Sequence, residues 1–381
     1  MKISFDAVPI INGGMTGIGW CEVGQTMAMA RLHPEDNFYY SFFSRKDDHI
    51  KLEKLAPFSK DIGAHIGHFS GLAYRTASLV LPIPYKWFFG KEMDITHFFN
   101  YIAPPGVHGK TVITVHDMVY KSFPETVRGR TKKMLDTGLA PSMKRANIIV
   151  TDSEFSKTEI IKYFPQHEAK IRVVPCGVDL EKFKPCDTPE RIPEVKKSLG
   201  IEGEYFLYLG TIEPRKNLER LINAYNIFCQ REKDAPKLVL AGGKGWLYDS
   251  IFQCVTDLKL TDKVIFTQYI PSEDMNPLMC GALAFVFPSI YEGFGMPPLE
   301  AMACGVPVLA SNAASLPEVT GDCAVSCDPY SEEDIAEGLH KLYSDSALRA
   351  DLSRRGLERA KTLTWDNSAE ILYSVYKELM K

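Results

Sequence analysis

Short apolar runs ending at Gly, Pro, Ser or Asp alternate with amphipathic stretches along most of this chain, and that alternation restricts its fold more than any other feature. KISFDAV (2–8), TVITVHD (111–117), NIIVTDS (147–153) and KIRVVPCG (170–177) form a first set. YFLYLGT (205–211), KLVLAGG (237–243), VIFTQYI (264–270), AFVFPS (284–289) and PVLAS (307–311) form a second. Runs this short and continuously apolar read as strands buried on both faces. Separated by helices, they require parallel sheets with helices on either side. The clearest helix is at 217–230, where Leu218, Leu221, Ile222, Tyr225 and Phe228 make one stripe and Asn217 is placed to cap it. Between the sets, VDLEKFKPCDTPERIPEV (178–195) has three prolines, eight charges and no apolar period. The expected architecture is α/β: two Rossmann-like, doubly wound domains, 1–185 and 186–363, with 364–381 as a last amphipathic helix.

A chain of 381 residues, 45% hydrophobic and 24% charged, can build a core in each of two domains. Lys and Arg number 44 against 48 Asp and Glu, a net charge of −4 that argues against non-specific nucleic-acid binding. The charge is uneven: residues 1–180 carry 22 basic and 18 acidic side chains, the remainder 22 and 30. The first half is therefore the one suited to an anionic surface. The nine cysteines are scattered and make no C-x-x-C pair. Met1 runs straight into KISFDAV without a leader pattern, and no uncharged apolar stretch reaches about 18–20 residues. The expectation is a cytoplasmic chain with reduced thiols.

Candidate chemistry gathers just past the strand ends. In FVFPSIYEGFGMPPLEAMACGVPVLAS (285–311), Gly293, Phe294, Gly295 and Met296 lead into a short helix, and its start can cradle a phosphate. Glu292 and Glu300 flank that loop and suit neutral hydroxyls, such as the vicinal diol of a ribose or hexose. YLGTIEPRKNLERLI (208–222) brings Thr211, Arg215 and Lys216 to another strand end, where the cations can neutralise a diphosphate. LAGGKGWLYD (240–249) offers Gly243 for close backbone approach, and Ile270 closes the following strand. In the first half, NGGMTGIGW (12–20) supplies Gly17 and Gly19, and VHD supplies His116 and Asp117. The fingerprints GxGxxG and GxxxxGK[ST] are absent, which disfavours a dinucleotide or ATP enzyme. HIGH (65–68) lacks a third ligand, and no Asp-x-Asp pair exists to hold Mg²⁺ or Mn²⁺. No metal and no cofactor is expected.

Together, GGMTGIG, VHDMVYKSFPE, VTDSEFSKTEI, VPCGVDLEKF, YLGTIEPRKNLERLI, VFPSIYEGFGMPPLEAMACGVPVLASNAASLPEV and GDCAV, in that order from residue 12 to about 325, resemble the retaining glycosyltransferases of the GT-B fold. The Glu-x7-Glu motif in its EGFGMPPLE setting carries most of that resemblance. It implies a nucleotide-sugar-binding second domain, an acceptor-binding first domain and a terminal helix that crosses back onto the first. Glu292 would then contact the transferred sugar, Glu300 the ribose, and Arg215 and Lys216 the diphosphate. His116 would sit by the sugar, Asp117 on the acceptor side, and Gly17 to Gly19 would approach the diphosphate. Thr211 stands where many members carry Arg. EPRKN and VHD…FPE resemble the bacterial mannosyl- and rhamnosyltransferases, so GDP-mannose is the first expectation for the donor. The expected product is a cell-surface polysaccharide or lipopolysaccharide, made on a glycan or lipid-linked acceptor. KSFPETVRGRTKKMLDTGLAPSMKR (121–145) and LVLPIPYKWFFGK (79–91) suit peripheral contact with an anionic inner membrane face. The alternatives are a nucleotide-sugar epimerase of the same fold and a non-catalytic nucleotide-sugar-binding protein.

Overall fold

The structure, a computed structural model, describes residues 1–381 apart from 12–14, 46–47, 79–80, 244 and 246–247. Gly13 and Gly14 of the first glycine loop, Leu79 and Val80, and Lys244, Trp246 and Leu247 of the third loop therefore lie outside the described residues. The chain divides into two compact units, one of residues 1–177 and 365–381 and one of residues 178–364.

The first unit is a seven-stranded parallel sheet: β1 (Lys2–Asp6), β2 (Asn37–Phe43), β3 (Gly63–Gly67), β4 (Ile95–Phe98), β5 (Lys110–Thr114), β6 (Ile148–Thr151) and β7 (Ile171–Val173), in the order β3-β2-β1-β4-β5-β6-β7. Ile3 pairs with Phe38 on one side and Ile95 on the other, so β1 is central. Ile3, Phe5, Tyr40 and Phe42 are sealed from solvent. Each such side chain contributes about 1.5–3 kcal/mol by leaving water. Sequence reading passes over β2, β3 and β4. β3 is GAHIG, two of its five residues glycine, and β4 is the four residues ITHF. His97 is tolerated in the interior of β4 because both ring nitrogens are engaged, Nδ1 with the Tyr376 hydroxyl at 2.6 Å and Nε2 with Thr114 Oγ1 at 2.8 Å. Burial holds its pKa well below the usual imidazole range.

Tyr376 belongs to the last helix, Trp365–Leu379, which packs within this unit on the helix Gly17–Leu32. Gln25 Nε2 donates to Ser368 Oγ at 3.0 Å, and the Tyr373 hydroxyl donates to Asp36 at 2.8 Å. The Trp365 ring lies against Gly24, where an added Cβ would stand 2.2 Å from it, so only glycine fits.

The second unit is a six-stranded parallel sheet: β8 (Tyr205–Leu209), β9 (Lys237–Ala241), β10 (Val264–Gln268), β11 (Ala284–Phe287), β12 (Val308–Ser311) and β13 (Ala324–Cys327), in the order β10-β9-β8-β11-β12-β13. Its clearest helix runs Leu218–Arg231 and buries the anticipated stripe of Leu218, Leu221, Ile222, Tyr225 and Phe228. Asn217 does not cap it. The residue is left-handed at φ 63°, and its Nδ2 instead donates to the carbonyls of Pro288 and Pro329 at 3.0 and 2.7 Å. Residues 178–185 also fall in this unit rather than in the first. Val178 bridges Thr364, and the Lys184 carbonyl accepts from Asn276.

Candidate active site

In an open parallel sheet, ligands settle past the carboxyl ends of the strands, where the strand order reverses. In the second unit that point lies between β8 and β11: the chain moves from β8 outward to β9 and β10, then returns to the other side of β8. The segment after β8 carries Glu213, Arg215 and Lys216, and the segment after β11 carries Glu292, Gly293, Phe294 and Gly295. Topology thus brings together residues some 77 positions apart.

Glu292 is the hub. It accepts from Arg215 Nη1 at 2.8 Å and from Lys216 Nζ at 2.7 Å. Arg215 also donates to the Tyr291 carbonyl at 2.7 Å and, through Nη2, to Glu213 at 2.8 Å. Glu213, Lys216 and Glu292 are all buried. Two cations and two carboxylates leave the cluster formally neutral, which is what allows it to be buried. Burial opposes the charge on Glu292, but Arg215 and Lys216 beside it hold its carboxyl down at about 2. Burial and the neighbouring Arg215 lower the Lys216 ammonium, against the pull of Glu292 and Glu213. Sequence reading aimed Glu292 at a neutral hydroxyl; here both its oxygens rest on cations.

The loop after Glu292 is shaped by its contacts. Ser315 Oγ lies 2.9 Å from the Glu292 carbonyl and 2.6 Å from that of Phe294, and its one proton is donated across the two. Gly295 sits at φ 123°, and a Cβ there would stand 2.6 Å from Leu316 Cδ2. The helix Met296–Ala303 follows. Pro297 and Pro298 in its first turn have no N–H, so its start offers a phosphate fewer amides than a proline-free helix would. Glu300, one turn further on, is partly buried. Desolvation raises its carboxyl to about 7, against the lowering charge of Lys182. Glu300 therefore stands apart from the ionic hub, in a different electrostatic environment.

Thr211 and Gly243 are exposed at the ends of neighbouring strands, and Ile212 N donates to the Gly243 carbonyl at 3.0 Å. Ile270 is buried just past β10. Sequence reading did not give Glu213 a role, although it lies in the quoted EPRKN run; only the fold shows that it holds Arg215.

In the first unit, Gly17 is the exposed first residue of the helix Gly17–Leu32. Gly19 is buried, and a Cβ on it would meet the Pro9 carbonyl at 3.0 Å, so Gly19 serves packing. Asp117 Oδ1 accepts from Val119 N at 3.1 Å and from the Tyr101 hydroxyl at 3.2 Å. The ring of His116 is buried and turned inward. Nδ1 lies 2.7 Å from Asp152 Oδ2 and Nε2 lies 2.7 Å from the Phe99 carbonyl. Burial disfavours its charge, but the Asp152 carboxylate wins and pushes the imidazole up to about 10. Asp152 is a further partner that sequence reading missed.

Comparison with known proteins agrees with this architecture. Residues 192–359 match the family described as glycosyl transferases group 1, and residues 41–182 match Glycosyltransferase Family 4. The chain is 35% identical over 311 residues to O-antigen chain mannosyltransferase B of Escherichia coli, covering 81% of this chain and 80% of that protein. It is 30% identical over 285 residues to the serotype-specific mannosyltransferase WbdA of Escherichia coli, of which the match spans only 35%. Among solved structures, Anabaena HepE in complex with UDP and glucose superposes with a TM-score of 0.73 at 18% identity, over 99% of this chain and all of that one. WaaG, a glycosyltransferase of lipopolysaccharide biosynthesis, superposes at 0.65 and 16% identity, over 99% of this chain and 98% of its own. Two parallel-sheet α/β units and these matches identify the chain as a glycosyltransferase of the GT-B fold, belonging to the group 1 and Family 4 glycosyltransferases.

Proposed function

We propose that this enzyme transfers mannose, with retention of configuration, from GDP-mannose to a glycan or lipid-linked acceptor in cell-surface polysaccharide synthesis. The observation that carries the hexose assignment is the 35% identity to an O-antigen mannosyltransferase across four fifths of both chains. The Arg215–Lys216–Glu292 hub supports the chemistry. On donor binding, Arg215 and Lys216 exchange Glu292 for diphosphate oxygens, and the freed carboxylate takes a hydroxyl of the sugar. The leaving diphosphate is then stabilised by cations already in place, the largest contribution a protein makes to such a step. The acceptor hydroxyl attacks from the face the diphosphate leaves and gives its proton to the departing phosphate oxygen. Glu300 holds the ribose diol. His116, with its ring engaged, acts through the backbone at the β5 mouth. A panel of nucleotide sugars, offered with acceptor glycans and read by product mass, tests the reading. GDP-mannose is expected to give a mass gain of one hexose; transfer from UDP-glucose alone would overturn the donor.

Because Arg215 and Lys216 supply the positive charge, adding Mg²⁺ or Mn²⁺ to an ion-free assay is expected to change the rate less than about twofold. A tenfold stimulation would contradict this account of the diphosphate site.

Membrane contact belongs to the same proposal. No helix among the described residues is long and apolar enough to cross a membrane. The helix Gly129–Arg145 carries Arg130, Lys132 and Lys133, but Lys132 and Lys121 share Asp136, and Arg145 donates to the Ala103 carbonyl. The surface left for lipid is therefore smaller than the seven basic residues of 121–145 suggested. Salt-sensitive co-sedimentation with anionic but not neutral vesicles is expected, and is expected to weaken on neutralising Arg130 and Lys133. Wild-type indifference to anionic vesicles at low salt would remove membrane contact and leave the transferase reading intact.

A further inference from the structure

Four potential metal ligands converge inside the first unit, and none of them came together in the sequence. Cys21 lies in the helix Gly17–Leu32, while His116, Asp152 and Cys176 follow the adjacent strands β5, β6 and β7. All four are buried. Donor atoms of Cys21, His116 and Asp152 lie within 4.8 Å of one another. Cys176 Sγ is 3.4 Å from Cys21 Sγ and also stands against Asp152. The separation of Cys21 and Cys176, 155 positions, is why no spacing motif betrays them.

We infer that Cys21, Cys176, His116 and Asp152 form a closed, structural Zn²⁺ site. Two thiolates, an imidazole and a carboxylate make a set that selects zinc over the hard ions Mg²⁺ and Ca²⁺. The spacing is right: with Zn–S at about 2.3 Å, tetrahedral sulfurs stand about 3.8 Å apart, a few tenths beyond the present 3.4 Å. The ring is oriented for it. Phe99 offers only a carbonyl, so Nε2 carries the proton that it donates there, and Nδ1 is the nitrogen that faces the cluster. Among the described residues Asp152 Oδ1 is buried and finds no hydrogen-bond partner, a costly state that a bound cation relieves. Binding displaces the thiol protons of Cys21 and Cys176 and the Nδ1 proton of His116. Zinc would pin the start of the Gly17–Leu32 helix to the ends of three strands. With four protein ligands its coordination is filled, so it offers no open position to a phosphate or to water.

The test uses the full, tag-free chain and no sugar donor. Elemental analysis after expression with zinc is expected to find about one Zn²⁺ per chain, falling at least tenfold in Cys21→Ser and Cys176→Ser but not in Cys254→Ser. Reduced, metal-free wild type titrated with Co²⁺ is expected to develop tetrahedral d–d bands and a thiolate-to-cobalt charge-transfer band. That readout does not depend on whether the variants fold. A reduced wild type that holds no zinc and gives no such bands overturns the site. So does a Cys21–Cys176 disulfide in the freshly purified chain, or full zinc retention in both serine variants.

Discussion

Glu292→Gln is expected to lower turnover about a hundredfold or more while leaving GDP affinity unchanged or tighter. The carboxylate makes no contact with the nucleotide in the proposed complex, and its charge repels the diphosphate that Arg215 and Lys216 must hold. Removing that charge frees both cations for phosphate but deletes the group that takes the sugar hydroxyl. It also leaves Lys216 buried with one partner fewer, and breaking a buried ion pair costs about 3–5 kcal/mol. Thermal unfolding must therefore accompany the kinetics, and gain from the isosteric Gln over Ala is part of the expectation. Calorimetric titration with GDP and single-turnover rates provide the check. A tenfold loss of GDP affinity with turnover intact would place Glu292 on the nucleotide and contradict the assignment.

Glu300→Ala is expected to do the reverse, weakening GDP about tenfold or more, since a hydrogen bond to a charged group is worth about 1.5–3 kcal/mol. Its raised carboxyl adds a pH signature. With a folded pKa of about 7, Glu300 keeps its proton in the native state at pH values where the unfolded chain has already released it. The native state therefore binds more protons between the ordinary carboxylate range and pH 7. Over that window stability falls as pH rises, levelling off above 7. Only the ionised carboxylate accepts both hydroxyls of a diol, so GDP affinity is expected to climb through pH 7. Both slopes are expected to flatten in Glu300→Gln. Identical pH profiles for wild type and Glu300→Gln would remove the ribose role.

What the sequence disclosed and what it hid follow from how local each feature is. Strands such as TVIT (111–114) and YFLYL (205–209) announce themselves because every residue is buried within one short run. GAHIG and ITHF do not, because glycines and a histidine break the apolar signal; His97 is accepted only through Tyr376 and Thr114, far off in the chain. The loop residues Arg215, Lys216 and Glu292 could be named from their positions past strand ends. That Glu292 binds both cations could not, because the contact depends on β8 and β11 being neighbours at the point where the sheet order reverses. Asn217 shows the same limit in miniature. Its type suits a cap, but the carbonyls of Pro288 and Pro329 claim its amide, and neither is visible from the helix. The cluster of Cys21, His116, Asp152 and Cys176 is the extreme case, with each ligand arriving from a different element.

The most direct test of retaining mannosyl transfer at the Arg215–Lys216–Glu292 hub is the anomeric configuration of the first-formed product. GDP-mannose carries its sugar in the α configuration, and NMR of a reaction stopped early, before any free sugar can mutarotate, reads the one-bond carbon–proton coupling at the new anomeric centre. An α-mannosyl linkage, formed by wild type and suppressed at least about a hundredfold in Glu292→Gln, is the expected result. A β-mannosyl linkage would show attack from the face opposite the leaving diphosphate and would contradict the account.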